Sequence, residues 1–168
     1  LQFQLTREDQ RVFVRALRVW PLIRRYTEEY HLDPMIAFRV AATESVFREE
    51  EVGAAREIGL FQILPSTGDL LWKSYGGSAP EPRKGWRSST PNQIYLAIRH
   101  LANIERERGD RKTSLRAWKL NDLYAVYNGG PGGLAGKPKK NWVLANLRAS
   151  KQWEHVAYAL DQVQIQWP

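Results

Sequence analysis

One glutamate lies near the end of a predicted helix, at the edge of its apolar stripe. The sequence predicts this helix over about residues 34–47, and at about 100° per residue Glu44 lies one turn beyond Val40. The nearby side chains on the helix are mostly alanine and valine and offer no cation, so desolvation is expected to raise the pKa of Glu44. A partly protonated glutamate can act as a general acid. The alternative is a surface glutamate paired with Arg39 or Arg48.

Three short motifs give this glutamate a context. Residues 44–47 read ESVF, residues 59–62 read GLFQ and are soon followed by Pro65, and residues 127–132 read YNGGPG. In order and spacing they resemble the soluble lytic transglycosylase family of the lysozyme-like superfamily, whose pattern is ES-x-F, then GLMQ before a proline-led helix, then AYNAGPG. The resemblance spans about residues 30–132 and implies an all-α, lysozyme-like fold that acts on peptidoglycan.

The resemblance also implies a mechanism with one carboxyl group. Glu44 would protonate the glycosidic oxygen between N-acetylmuramic acid and N-acetylglucosamine, and would then, as a carboxylate, accept the proton of the muramyl C6 hydroxyl. That hydroxyl attacks C1 of the same sugar, so the product ends in 1,6-anhydromuramic acid. Ordinary glycosidases use two carboxyl groups instead. The resemblance implies no cofactor.

Four further residues are predicted to bind the substrate: Ser45, Gln62, Tyr127 and Asn128. The amide of Gln62 can donate and accept, so it could hold an N-acetyl group or Glu44, or simply close its loop. The phenol of Tyr127 could reach Glu44. Asn128 could bind the sugar or only cap a helix. Ser45 could contact the sugar, hold a backbone group or face solvent.

The sequence departs from the family pattern in places that bear on chemistry. Residues 54–58 lack the serine that usually precedes GLMQ, and Ala97 and His100 stand where the family has Gly and Tyr. A second carboxylate that activates water would make the chain a hydrolytic lysozyme, and Glu57 is the first candidate. The less plausible candidates are Glu49, Glu50, Glu51 and Asp69.

The elements that must position these residues are predicted to be helices. Helical periodicity dominates, no segment alternates like a strand, and the length favours a single domain over residues 1–168. Thr6 and Asp9 form an acidic capping box that opens a first helix, which Pro21 should end or kink. Further helices are predicted over about residues 90–109, 113–127 and from 139 to the carboxyl end.

Residues 74–89 contain several glycines and prolines and are predicted to form a surface loop beside the cleft. Trp86 lies in this loop, where its ring could stack on a sugar or fill the core.

The composition favours an anionic partner. The formal net charge is +7 and the pI is about 9.8, so the chain should be attracted to polyanions. A nucleic-acid-binding module would explain this charge, but it would not explain Glu44, Gln62 and the Tyr127–Asn128 pair. We therefore expect peptidoglycan glycan strands as the partner and no nucleic acid, with the charge serving adhesion to anionic wall polymers. A non-catalytic wall-binding protein of the same fold is a third interpretation.

The remaining features concern metal and location. There is no cysteine, and the three histidines lack metal-binding spacing, so no metal site is expected. No apolar run reaches the ~20 residues of a membrane span, and no signal peptide is recognisable. Because the chain begins at Leu1, we expect a processed product or part of a larger parent. The periplasm or cell envelope, or a phage virion, lysis or secretion assembly, would fit the function.

Overall fold

A computed structural model describes residues 5–109, 126–128 and 153–164, and most of these residues are helical. The longer helices of this part are α1 (Arg7–Glu29), α2 (Pro34–Ser45), α3 (Pro65–Tyr75), α4 (Thr90–Gly109) and α5 (Glu154–Gln164). Two isolated antiparallel bridges tie the loop between α2 and α3. The predicted all-α fold is confirmed. Within the described ranges, no helix has the length and apolar character needed to cross a membrane.

The first helix begins as predicted but does not end at the internal proline. The Thr6 hydroxyl accepts the Asp9 amide hydrogen at 3.2 Å, and the Asp9 carboxylate accepts the Thr6 amide hydrogen at 2.9 Å. The prediction that Pro21 would end this helix is wrong, because α1 continues past it. Pro21 is exposed, whereas Trp20 and Ile23 are 1% and 0% exposed. Burial of this continuous face outweighs the one backbone hydrogen bond that proline removes.

The second helix carries Glu44 and ends sharply just after it. Asp33 caps the start of α2 by accepting the Met35 amide hydrogen at 2.9 Å. The helix ends two residues before the predicted boundary, because Val46 and Phe47 adopt left-handed backbone angles, with φ of 51° and 58°. A left-handed residue at this position is a common way to end a helix. Glu44 is therefore held in the last turn of α2.

The core lies where α1 packs against α2, α4 and α5. Its largest fully buried side chains are Trp20, Tyr95, Phe38, Phe47, Phe61, Ile23, Leu60, Ile94, Leu96, Ile98 and Leu101. Phe38 of α2 packs edge-on against Trp20 with ring centroids 5.8 Å apart, and it contacts Phe47 at 5.0 Å. Aromatic contacts on both sides thus fix α2 in the core.

A half-buried arginine joins three helices through tyrosines. The guanidinium of Arg99, on α4, lies 3.9 Å from the Tyr75 ring centroid and 5.1 Å from that of Tyr30. Its Nη1 donates to the hydroxyls of Tyr95 at 2.8 Å and Tyr30 at 3.2 Å. Burial raises the pKa of Tyr30. This Arg99 cluster links the ends of α1 and α3 to the middle of α4 by cation–π contacts and hydrogen bonds.

The last described helix is tied to the body by ionisable pairs. His155 Nε2 lies 2.8 Å from an Asp9 carboxylate oxygen, and Arg39 lies 3.8 Å from Glu154. Burial opposes ionisation of Asp9, but hydrogen bonds from Thr6 and His155 hold the pKa of Asp9 below its usual value. These contacts fix α5 against α1 and α2.

Two predicted helices are only partly within the described residues. Of the helix predicted over 113–127, residues 126 and 127 are described and are helical, as is residue 128. The fifth helix, α5, lies inside the segment predicted from 139 onward. The rest of both predictions lies outside the described residues.

The predicted loop at 74–89 is more ordered than expected. The helix α3 continues to Tyr75, and two short 3₁₀ turns follow at Gly76–Ser78 and Pro82–Lys84. Trp86 is only 3% exposed, and its indole N–H donates to Asp69 at 2.9 Å. Trp86 thus fills the core and offers no stacking surface to a sugar.

Candidate active site

A cleft of about 190 Å³ brings most of the predicted site residues together. It lies among the end of α2, the loop before α3, the face of α4 and residues 126–128. Its lining comprises Glu44, Glu57, Gln62, Ile63, Leu64, Thr67, Leu71, Ala97, His100, Tyr127 and Asn128. Four of the five residues predicted from sequence are in this lining, and Ser45 lies directly behind it.

Glu44 faces an amide donor across the cleft. It is partly exposed in the last turn of α2, and the side-chain amide of Asn128 donates to its Oε1 at 3.4 Å. Residues 84 positions apart in sequence thus meet at the carboxyl group. A carboxyl at the wall of a cleft, in contact with a polar neighbour, is accessible to a bound sugar and can exchange protons with it.

Ser45 is placed to hold backbone. Its side chain is 4% exposed, and its hydroxyl donates to the Leu60 carbonyl at 2.7 Å and accepts the Arg48 amide hydrogen at 3.2 Å. This matches the backbone-holding alternative of the sequence prediction and leaves little surface for a sugar. The bond to Leu60 fastens the end of α2 to the Gly59–Gln62 turn.

In the Gly59–Gln62 turn, the two middle residues are buried and Gln62 lies at the cleft. Gly59 has a φ of 76°, and a Cβ there would collide with the side chain of Gln93, so only glycine fits. Leu60 and Phe61 are fully buried. The amide nitrogen of Gln62 donates to the carbonyls of Gly59 at 2.9 Å and Glu51 at 3.1 Å.

These bonds give Gln62 the loop-closing role that the sequence left open. Because its amide nitrogen is engaged by backbone carbonyls, a contact between Gln62 and substrate would use the amide oxygen as acceptor. That contact stays a prediction.

Tyr127 clamps the same turn from the other side of the cleft. Its hydroxyl donates to the Phe61 carbonyl at 2.9 Å, and its ring lies 5.6 Å from that of His100. The sequence had suggested a bond from this phenol to Glu44. That bond stays a prediction, and the hydrogen bond to Phe61 makes Tyr127 a support for the turn that carries Gln62.

Among the other candidate carboxylates, Glu57 lines the cleft. Its carboxylate accepts the Ala55 amide hydrogen at 2.9 Å. Asp69 accepts hydrogen bonds from Trp86 and Arg87, the latter at 2.6 Å. These bonds lower the pKa of Asp69. The described residues contain no group of three or more histidines and carboxylates that could hold a metal ion.

His100 is a cleft residue that the sequence did not assign to the site. It follows Ala97, another lining residue, by three positions on α4, so both side chains point the same way. Burial lowers the pKa of His100, against the attraction of Glu107. The signal available in the sequence was its position three residues after Ala97, where the family has Tyr.

The all-helical fold, with a glutamate at a helix end facing amide and hydroxyl side chains across a cleft, defines a lysozyme-like domain. Comparison with known families gives the particular assignment. The family described as Transglycosylase SLT domain matches residues 21–145. The chain belongs to this family.

Similar proteins include several named membrane-bound lytic murein transglycosylase C. That of Haemophilus influenzae (strain PittEE) is 27% identical over 121 residues, which are 72% of this chain and 34% of the relative. Those of Haemophilus ducreyi (strain 35000HP / ATCC 700724) and Histophilus somni (strain 2336) are each 28% identical, over 72% of this chain and 33% of the relative. The chain thus spans about a third of the length of these curated relatives.

Proposed function

We propose that the chain is a peptidoglycan lytic transglycosylase that cleaves the β-1,4 bond between N-acetylmuramic acid and N-acetylglucosamine. The observation that carries the proposal is Glu44 at the cleft wall, 3.4 Å from the Asn128 amide, with Gln62 and Tyr127 beside it. Family membership and the names of the relatives support the same reaction.

In the proposed reaction Glu44 acts twice. As an acid it protonates the glycosidic oxygen, so the bond to C1 of the muramyl sugar breaks and the leaving sugar departs as an alcohol. As a carboxylate it then accepts the proton of the C6 hydroxyl while that oxygen bonds to C1. The net change returns the proton to Glu44 and yields a 1,6-anhydro end. Because the attacking hydroxyl is in the same sugar, no water needs to be positioned.

The neighbours of Glu44 support this cycle by holding the site rigid. The Asn128 amide can donate to the carboxylate form, which helps Glu44 to return to its ionised state. Ser45 and Tyr127 bind the two buried carbonyls of the Gly59–Gln62 turn, at Leu60 and Phe61. A small rigid cleft limits the loss of alignment that would slow an intramolecular attack.

The test is product analysis with matched carboxyl-to-amide variants. Purified peptidoglycan is digested with the unchanged chain, with Glu44→Gln and with Glu57→Gln, and soluble products are measured by mass spectrometry. We expect anhydromuramyl ends from the unchanged chain and from Glu57→Gln, and none from Glu44→Gln. Thermal unfolding of both variants should match the parent within a few degrees. Retained cleavage by Glu44→Gln would remove Glu44 from its role.

Hydrolysis is the second candidate, because Glu57 lines the same cleft as Glu44. A second carboxylate could activate water, and the products would then carry reducing ends, heavier by one water. Loss of activity in Glu57→Gln together with reducing ends would establish this lysozyme mechanism. Binding to peptidoglycan with no products from any form would favour a non-catalytic wall-binding protein.

Adhesion to anionic wall polymers is assigned to a row of arginines along α1. This arginine row consists of Arg7, Arg11, Arg18 and Arg25, which are exposed and recur at spacings that keep them on one helix face. Within the described residues none of them forms a salt bridge, and the salt bridges found involve other side chains. Their charge is thus available to an anionic polymer.

The setting of the activity follows from its substrate. We place the chain in the periplasm or cell envelope, or in a phage or secretion assembly that crosses the wall, and we expect it to work as part of a larger protein. The relatives named membrane-bound are compatible with the envelope.

A further inference from the structure

An imidazole lies in the wall of the cleft. His100 is partly buried on α4 and lines the cleft with Glu44 and Asn128. Its ring rests against that of Tyr127, with centroids 5.6 Å apart and planes inclined by 47°. Among the described residues, neither ring nitrogen of His100 has a hydrogen-bond partner. Its ring nitrogens are not among the fully buried polar atoms of the described residues, so they are accessible to a ligand that enters the cleft.

The charges around His100 determine what it can bind. Glu44 of α2 and Glu57 of the loop before α3 line the same cleft, and Glu107 of α4 acts on His100 electrostatically. Among the described residues, no lysine or arginine is in the cleft lining. Burial lowers the pKa of His100, so the imidazole is neutral at neutral pH. A neutral imidazole has one donor and one acceptor nitrogen. That pair suits a hydroxyl group, which also donates and accepts, better than it suits an anion.

We propose that His100 is a substrate-binding residue whose imidazole forms a hydrogen bond with an uncharged sugar hydroxyl, and that it sets sugar specificity in this part of the cleft. The inference rests on the proposed function, because it takes the ligand to be a glycan strand. Tyr127 holds the ring in place from one side, so the imidazole meets the sugar with little freedom to lose on binding. His100 differs from Gln62, whose amide nitrogen is engaged by backbone carbonyls.

The experiment measures glycan binding separately from cleavage. In a Glu44→Gln background, which prevents turnover, binding of soluble N-acetylglucosamine tetramer is followed by calorimetry. We expect His100→Phe, which keeps a ring but has no polar atom, to weaken binding about tenfold, the loss that one ordinary hydrogen bond represents. His100→Gln keeps a donor and an acceptor and should stay within about threefold. His31→Asn, at an exposed histidine outside the cleft lining, is the matched control.

A pH series adds a readout that a purely structural role would not move. Protonation removes the acceptor nitrogen of His100, so tetramer binding should weaken as the pH falls below the ordinary pKa of histidine. The His100→Gln variant should not show this dependence. Equal affinity for His100→Phe and its parent, or the same pH profile in His100→Gln, would overturn the inference.

The two proposals fail in different ways. With Glu44 intact, His100→Phe should still release anhydromuramyl ends, with a raised KM and a smaller change in kcat. If those ends form while tetramer affinity is unaffected by His100→Phe, the role of His100 is refuted and the transglycosylase assignment stands. If the unchanged chain releases no products, the proposed function fails and this inference falls with it.

Discussion

Removing the Ser45 hydroxyl tests whether a single buried bond fastens the catalytic helix to the turn beside it. In Ser45→Ala the Leu60 carbonyl loses its 2.7 Å donor, and because Leu60 is fully buried, water is not available as a substitute. Leaving a buried acceptor unsatisfied costs about 1–3 kcal/mol. The better helix propensity of alanine returns at most about 0.5 kcal/mol at the helix end. We expect a net loss of about 0.5–2.5 kcal/mol in the free energy of unfolding.

The assay is urea unfolding followed by tryptophan fluorescence, which the seven tryptophans make sensitive. Thermal unfolding gives a second measure of the same loss, since for a domain of this size each kcal/mol of stability corresponds to about 2–4 °C in Tm. Ser74→Ala is the matched control, since the Ser74 hydroxyl is exposed and donates only to the Leu70 carbonyl of its own helix, at 3.3 Å. It should change stability by less than about 0.5 kcal/mol. If Ser45→Ala costs no more than Ser74→Ala, or if it cleaves peptidoglycan at the parent rate, the proposed fastening is wrong.

Three further perturbations address other parts of the molecule. Asp9→Asn should destabilise the fold at neutral pH. The difference in stability from the parent should vanish as the pH falls through the lowered folded-state pKa of Asp9, because the carboxylate stabilises the fold only while it is ionised. Tm measured across acidic pH tests this. Gly68→Ala should lower Tm, since a Cβ would press on the Trp86 ring and overpacking costs about 1–3 kcal/mol; an unchanged Tm would mean that the ring moves freely. Arg11→Glu with Arg18→Glu should weaken sedimentation with cell walls at low salt but hardly at high salt, leaving Tm unaltered; equal binding at low salt would exclude the arginine row.

Much of the fold follows from local signals in the sequence. The caps at Thr6 and Asp33 place the starts of α1 and α2 correctly, because a carboxylate or hydroxyl that binds free amide hydrogens acts within one turn of chain. The boundaries of α4 were also predicted. The error at Pro21 has a different origin, since the continuing apolar face that sustains α1 is defined by helices packed against it.

The sequence predicted which residues form the site but not which hydrogen bonds they make. The motifs name Glu44, Gln62, Tyr127 and Asn128, and the structure gathers them in one cleft. The direction of the Gln62 amide depends on its left-handed backbone, with φ of 47°, and on carbonyls that only the folded loop presents. Such contacts arise from tertiary packing, so a linear pattern does not contain them.

The same limit applies to Trp86, whose role the sequence left open, and to His100, which the sequence did not assign to the site. Trp86 lies in a polar, irregular stretch, yet the space beside Gly68 on α3 receives its ring. His100 lies on an amphipathic helix and was noted only because it stands where the family has Tyr. Which edge of that helix borders a cavity is decided by the neighbours of α4, and Tyr127 is one of them.

The Arg99 cluster has a consequence for how the molecule responds to acid. It joins α1, α3 and α4 mainly through phenol rings, hydroxyls and the Arg99 guanidinium, which stays charged in acid. The ionisable tie between α5 and α1, by contrast, is the contact of His155 with Asp9, which adds to their apolar packing and weakens once Asp9 is protonated. Strong acid should therefore weaken the contact between α5 and α1 more than the contacts that Arg99 makes with its tyrosines.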